Sequence, residues 1–197
     1  MGSMNDYKAE SITFHPTTDR HSDLVFAMAG ELRDLNKKGI LEVWGDTVAL
    51  VYDEEEKLIN VNQMSLAEGA VFKRRLNQYG YVEPDVMIFK ENASLNNDRN
   101  TRKAGCPDLV IEVWSVDNKE EHRQFKKQLY GTSEVTEHWY IEQESDIVEC
   151  WKGNVRLPDQ HLSDILVTQQ GLEFDLRDKQ TLDSSGLEEF VKYGFKG

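Results

Sequence analysis

The chain has 197 residues with 36 acidic and 23 basic side chains, a formal charge of −13, and 39% hydrophobic residues that include four Trp, seven Tyr and eight Phe. That composition excludes intrinsic disorder and supplies bulky apolar material for one sizeable core. The negative balance excludes a protein that coats nucleic acid non-specifically, and the absence of any run of about 18 apolar residues, or of a basic-then-apolar start, predicts a cytoplasmic protein without membrane segments.

Met1-Gly2-Ser3 ahead of Met4 reads as an expression scar, leaving residues 4–197 as a single domain without repeat or linker. From His21 to Lys38, Leu24, Met28, Leu32 and Leu35 recur at helical spacing before a Lys37-Lys38-Gly39 stop, which predicts the first helix. Leu41 to Tyr52, with a Gly45-Asp46 turn signal, reads as a hairpin or two short strands, and Leu58 to Val61 as a further strand. Ser65 and Glu68 have the spacing of a capping box, so a helix is expected from about Leu66 to Gln78.

Val86 to Phe89 and Leu109 to Trp114 are apolar runs of strand length, each shortly after a proline. Between them the polar stretch Glu91 to Gly105 suits an exposed loop, and Asn118 to Tyr130 reads as a helix with Phe125 and Leu129 at i,i+4. His138 to Ile141 and Ile147 to Trp151 flank a polar pause and read as a hairpin, with His138 and Trp139 both structural, one in the core and one at the surface. Leu172 to Leu176 suits a last edge strand, and Ser185 to Tyr193 a closing helix. The mixture is α/β or α+β.

Cys106 and Cys150 are the only cysteines and form no C-x-x-C pair, so both are expected to be reduced and structural. No phosphate-binding glycine loop, dinucleotide fingerprint, zinc-protease or nucleophile-elbow pattern occurs.

The chemistry lies in two strand-like segments that open alike, Pro84-Asp85-Val86 and Pro107-Asp108-Leu109. Alternation puts Asp108, Val110, Glu112 and Trp114 on one face of the second strand, so Glu112 is a carboxylate amid apolar neighbours. Burying it costs several kcal/mol unless a metal, a lysine or an arginine compensates it. If the two strands share a sheet their carboxylates converge, and hard oxygen ligands of that kind suit Mg²⁺ or Mn²⁺. Lys126 on the following helix then adds a cation that stabilises charge developing on a phosphate oxygen. Together these parts describe metal-assisted phosphodiester hydrolysis. The structural alternative remains open for each: turn-forming Asp, ion-paired core Glu, solvated helix Lys.

Pro84-Asp85-Val86, the run from Gly105 through Glu112 to Ser115, Lys126 four residues before Tyr130, and Glu137-His138-Trp139-Tyr140-Ile141 resemble the Uma family of bacterial restriction endonucleases, within the PD-(D/E)xK nuclease superfamily. His21 after Pro16 and the Gly171-Leu172-Glu173-Phe174 segment resemble its terminal patterns. The resemblance implies a restriction-endonuclease-like core, a mixed β-sheet flanked by helices, acting as an endonuclease on DNA. It implies Asp85 and Glu112 as Mg²⁺ (or Mn²⁺) ligands, Asp108 assisting, and Lys126 in place of the superfamily lysine whose usual position holds Trp114 here. Glu31 resembles the superfamily's early acidic residue, and His21 falls at the periphery of the site. A homodimer is expected because many nucleases of this fold cut two strands. Arg99, Arg102, Lys103, Arg123, Lys127 and the Lys73-Arg74-Arg75 run are the cations available for DNA phosphates, with pairing to acids such as Glu120 and Glu121 as the alternative. The acid-rich segment 137–151 is expected to face away from DNA. The rival function is a catalytically degenerate nuclease fold serving as a binding or assembly module.

Overall fold

Every side chain of β6 (Leu109–Trp114) is buried, so this strand must be covered on both faces. The computed structural model describes residues 19–37, 41–45, 49–59, 64–74, 79–90, 102–103 and 106–177. Among them β6 lies inside a seven-stranded mixed sheet of order β1-β4-β6-β7-β8-β10, with β9 also paired to β8. These strands are β1 (Leu41–Gly45), β4 (Val86–Lys90), β7 (Glu137–Glu142), β8 (Ile147–Lys152), β9 (Val155–Arg156) and β10 (Gln160–His161). All pairings are antiparallel except β6 with β7, which α3 (Glu120–Thr132) connects as a crossover. A three-stranded sheet, β3-β2-β5, joins β2 (Ala49–Tyr52) to β3 (Gly80–Val82) and β5 (Arg102–Lys103). A two-stranded sheet pairs β11 (Ile165–Val167) with β12 (Glu173–Asp175).

The period-2 pattern of β6 divides the core. Leu109, Ile111 and Val113 join Val86, Ile88, Trp139 and Ile141 against Leu24, Ala27 and Met28 of α1 (Asp19–Lys37). Val110 and Trp114 join Met87, Phe89 and Tyr140 against Leu129 and Tyr130 of α3. The two helices therefore cover opposite faces, and Glu112 lies on the α3 side. This is the mixed α/β architecture expected from the sequence.

Several expectations change in detail. The segment Leu41 to Tyr52 forms two strands but no hairpin, because β1 pairs along five residues with β4 while β2 pairs with β3 and β5. A Gly-Asp signal marks where the chain turns, not which strand it then joins. Of the strand expected from Leu58 to Val61, Leu58 makes an isolated bridge to Tyr52 and residues 60–61 lie outside the described residues; Asp53 holds the turn by accepting from the N–H groups of Glu55 and Lys57. The capping box is present, Ser65 Oγ accepting from Glu68 N and Glu68 Oε2 from Ser65 N, ahead of α2 (Leu66–Arg74). Helix α3 begins two residues later than expected because Asn118 Oδ1 instead accepts from Ser115 N at 2.7 Å, closing a turn. His138 and Trp139, expected to divide between core and surface, are 1% and 0% exposed. Alternation separates the two faces of β7, yet both faces of this sheet are covered. The edge strand expected near Leu172 belongs to the small separate sheet, and both described cysteines are free thiols. Most of 91–105, along with 75–78 and 185–193, lies outside the described residues. No described helix is long and apolar enough to cross a membrane.

Candidate functional site

The antiparallel register of β4 on β6 pairs Val86 with Ile111, so one step further Asp85 stands across from Glu112. Asp85 closes the ladder with its side chain, Oδ2 accepting from Val113 N at 2.6 Å. Its other oxygen lies 3.4 Å from Nε2 of His21, in the first turn of α1. Glu112 is 2% exposed, and α3 brings two donors to it from one helix face. Lys126 Nζ donates to Oε2 at 2.7 Å and Tyr130 Oη to Oε1 at 2.6 Å. Residues 126 and 130 meet the same carboxylate because side chains four apart stack along a helix. Lys126 also reaches the Glu83 carbonyl at 3.3 Å.

The electrostatics follow from this burial. Loss of water pushes the Glu112 carboxyl up to about 6; Lys126 opposes that rise and the neighbouring Asp85 charge adds to it. Burial also works against the Lys126 ammonium, but Glu112 and then Asp85 outweigh it and hold its pKa above the ordinary lysine value. Tyr130, buried and beside an anion, is held well above the usual phenol range and stays a neutral donor. At neutral pH the Lys126 ammonium thus faces an ionised Glu112.

Two carboxylates one ladder step apart offer hard oxygen donors that fit Mg²⁺ or Mn²⁺. No group of three or more His, Cys, Asp or Glu side chains converges as a metal cage among the described residues. Asp85 and Glu112 would therefore hold such an ion with waters and substrate oxygens completing its shell, which is the habit of Mg²⁺.

The structure gathers His21, Asp85, Glu112 and Lys126, but not Asp108. The expectation that Asp108 assists Glu112 is corrected by strand geometry: the two share a face, yet four residues at about 3.3 Å each separate them by about 13 Å. Asp108 instead borders a cavity of about 10 Å³ with Ile88, Glu137 and Thr168. Glu31 sits ten residues beyond His21 on α1, about 15 Å further along its axis. Tyr130 was missed as a site residue; its signal was the i,i+4 spacing from Lys126.

The cations assigned to DNA phosphates on α3 are engaged inside the fold. Arg123 donates to Glu142 Oε1 and to the Ser115 carbonyl, both at 2.6 Å, and lies 4.8 Å from the Trp114 ring centre. Lys127 meets Glu149 at 2.8 Å above the rings of Trp114 and Tyr140. Their partners are sheet acids of the 137–151 segment and not the expected Glu120 and Glu121. Arg74 is exposed on α2, while Arg99, Arg75 and the side chains of Lys73, Arg102 and Lys103 lie outside the described residues.

A family model described as "Uma2: Putative restriction endonuclease" matches residues 10–178. The crystal structure of "a putative nuclease belonging to DUF820" from Anabaena variabilis ATCC 29413 has a similar fold. That alignment has a TM-score of 0.53 at 12% identity and covers 83% of each chain. No curated protein matches the chain.

Proposed function

The chain belongs to the Uma2 family, and on that premise we propose that it is a divalent-metal-dependent endonuclease hydrolysing DNA phosphodiester bonds. One observation carries the reading: a buried Glu112, opposite Asp85, is compensated by a lysine from the helix that follows its strand. A structural ion pair needs no second carboxylate beside it, whereas a cation site does. A bound Mg²⁺ or Mn²⁺ supplies an activated water and neutralises charge on the phosphate. Asp85 and Glu112 hold the ion, and Tyr130 and the Val113 N–H fix the orientation of those two carboxylates. Lys126, on a flexible stem, donates to a non-bridging phosphate oxygen as negative charge grows there. His21 keeps Asp85 in place from the opposite layer. A homodimer would carry two such sites, one for each strand of a duplex.

The test is cleavage of supercoiled plasmid in Mn²⁺, with calorimetric titration of the ion beside it. With duplex DNA present, wild type is expected to nick and to bind Mn²⁺, and Asp85→Asn to do neither while keeping its fold. Equal cleavage by Asp85→Asn sinks the proposed site.

A second reading, the degenerate fold kept as a binding module, is favoured by the protein partner that each oxygen of both carboxylates already has. It requires wild type to bind no Mn²⁺ even with duplex DNA present.

A further inference from the structure

All four carboxylate oxygens of Asp85 and Glu112 already have a protein partner. The Val113 N–H and His21 face the two oxygens of Asp85, and Tyr130 and Lys126 those of Glu112. Each oxygen keeps a second lone pair, but a divalent ion entering beside these donors is repelled by any of them that carries positive charge. They differ in how readily they move. Val113 N is backbone inside β6, and Tyr130 is 0% exposed where α3 packs on the sheet. Lys126 is 23% exposed on a four-carbon stem, with Nζ held only by Glu112 Oε2 and, more weakly, the Glu83 carbonyl.

We propose that Lys126 is the resting occupant of the cation position between Asp85 and Glu112, and that the site takes up a divalent ion once a phosphodiester draws the ammonium away. The proposal rests on the nuclease reading above and assigns it a regulation. An ammonium 2.7 Å from Oε2 fills the lone-pair direction a metal would use. An ion entering while Lys126 stays would set a third positive charge against an oxygen already neutralised. A phosphate oxygen is an anionic acceptor that a lysine binds as a point charge, so substrate offers Lys126 a replacement partner and frees Glu112 together. Metal loading therefore follows substrate, and the free protein is a closed form with Lys126 in the cation position.

The experiment is calorimetric titration of Mn²⁺, without DNA, into wild type and Lys126→Met. If the open form is populated at one part in ten or less, removing the lysine lowers the apparent Kd at least about tenfold. Lys126→Gln, which keeps a donor and drops the charge, is expected to move in the same direction, and it serves should the Met variant fail to fold. In thermal melts Mn²⁺ should raise the Tm of either variant and leave wild type nearly unmoved. Adding Glu112→Gln to Lys126→Met should abolish the gain. Variants that bind Mn²⁺ no more tightly than a wild type that does bind it overturn the proposal while sparing the nuclease reading. Absence of Mn²⁺ binding by wild type and variants, even with a phosphorothioate duplex present, overturns both.

Discussion

Among the described residues two glutamates are buried in the central sheet, and they are compensated in opposite ways. Glu137, 1% exposed at the start of β7, takes neutral donors: Trp139 Nε1 at 2.7 Å and the Gln169 N–H at 2.9 Å. Glu112, 2% exposed on the adjacent β6, takes an ammonium and a phenol and stands across from a second carboxylate. Burial raises both above the ordinary carboxylate range. Burial of an acid therefore does not by itself mark a site. What differs is the partner: fixed neutral donors make Glu137 a brace between β7 and the 168–170 turn, whereas a movable cation beside a second anion makes Glu112 exchangeable.

The largest expected effect separates the two acids by function. Glu112→Gln should lower Mn²⁺-dependent cleavage by about two to three orders of magnitude, as loss of one preorganised charge does. Circular dichroism should still show a folded protein, and an unfolded variant would return Glu112 to the structural class of Glu137. Next, Glu137→Ala leaves two buried N–H groups without acceptors, each costing about 1–3 kcal/mol, so denaturant melts should show a loss of about 2–6 kcal/mol. A loss below the lower figure would mean that the brace is not structural. Tyr130→Phe removes one hydrogen bond to a buried anion and should cost about 2 kcal/mol. If it instead costs nothing, Lys126 alone compensates Glu112.

The smallest expected effect is on the pH profile. The folded Glu112 carboxyl sits at about 6 against an ordinary 4.5, so between those values the folded chain holds a proton that the unfolded chain has released. This group's contribution is fully present below 4.5 and is lost as pH rises through 6, a change of about 1–2 kcal/mol. Urea melts across that window should show the slope in wild type and a flatter one in Glu112→Gln. Mn²⁺ binding should run the other way, weakening as pH falls below about 6, because the ion needs the carboxylate.

Local pattern was readable where local physics decides. The capping box at Ser65 and Glu68, the alternation of β6 and the β7–β8 hairpin all appear as the residues predict, because each depends on neighbours within a few positions. The expected split of His138 and Trp139 between core and surface fails because alternation assumes one wet face, and His138 is buried with its partner. Here its Nε2 donates to the Gly153 carbonyl and its Nδ1 accepts from Tyr140 Oη, and burial pushes the ring down to about 4, neutral in the core. For Arg123 and Lys127 the pairing alternative applies, with sheet acids as the partners. A helix facing a covered sheet directs Arg123, Lys126 and Lys127 at Glu142, Glu112 and Glu149, one acid from each of three neighbouring strands.

The sequence alone determined that Asp85, Glu112 and Lys126 exist as a set of unusual residues, because a carboxylate within an apolar strand has to be compensated somewhere. Only the tertiary structure decided which of them meet. A parallel pairing of the two Pro-Asp strands would have set Asp85 beside Asp108. The antiparallel pairing sets it across from Glu112 and leaves Asp108 at the far end, and Tyr130 enters through the helix that closes over that strand. Strand direction is a long-range property, set by how whole faces of the sheet bury against α1 and α3, and no spacing along the chain encodes it.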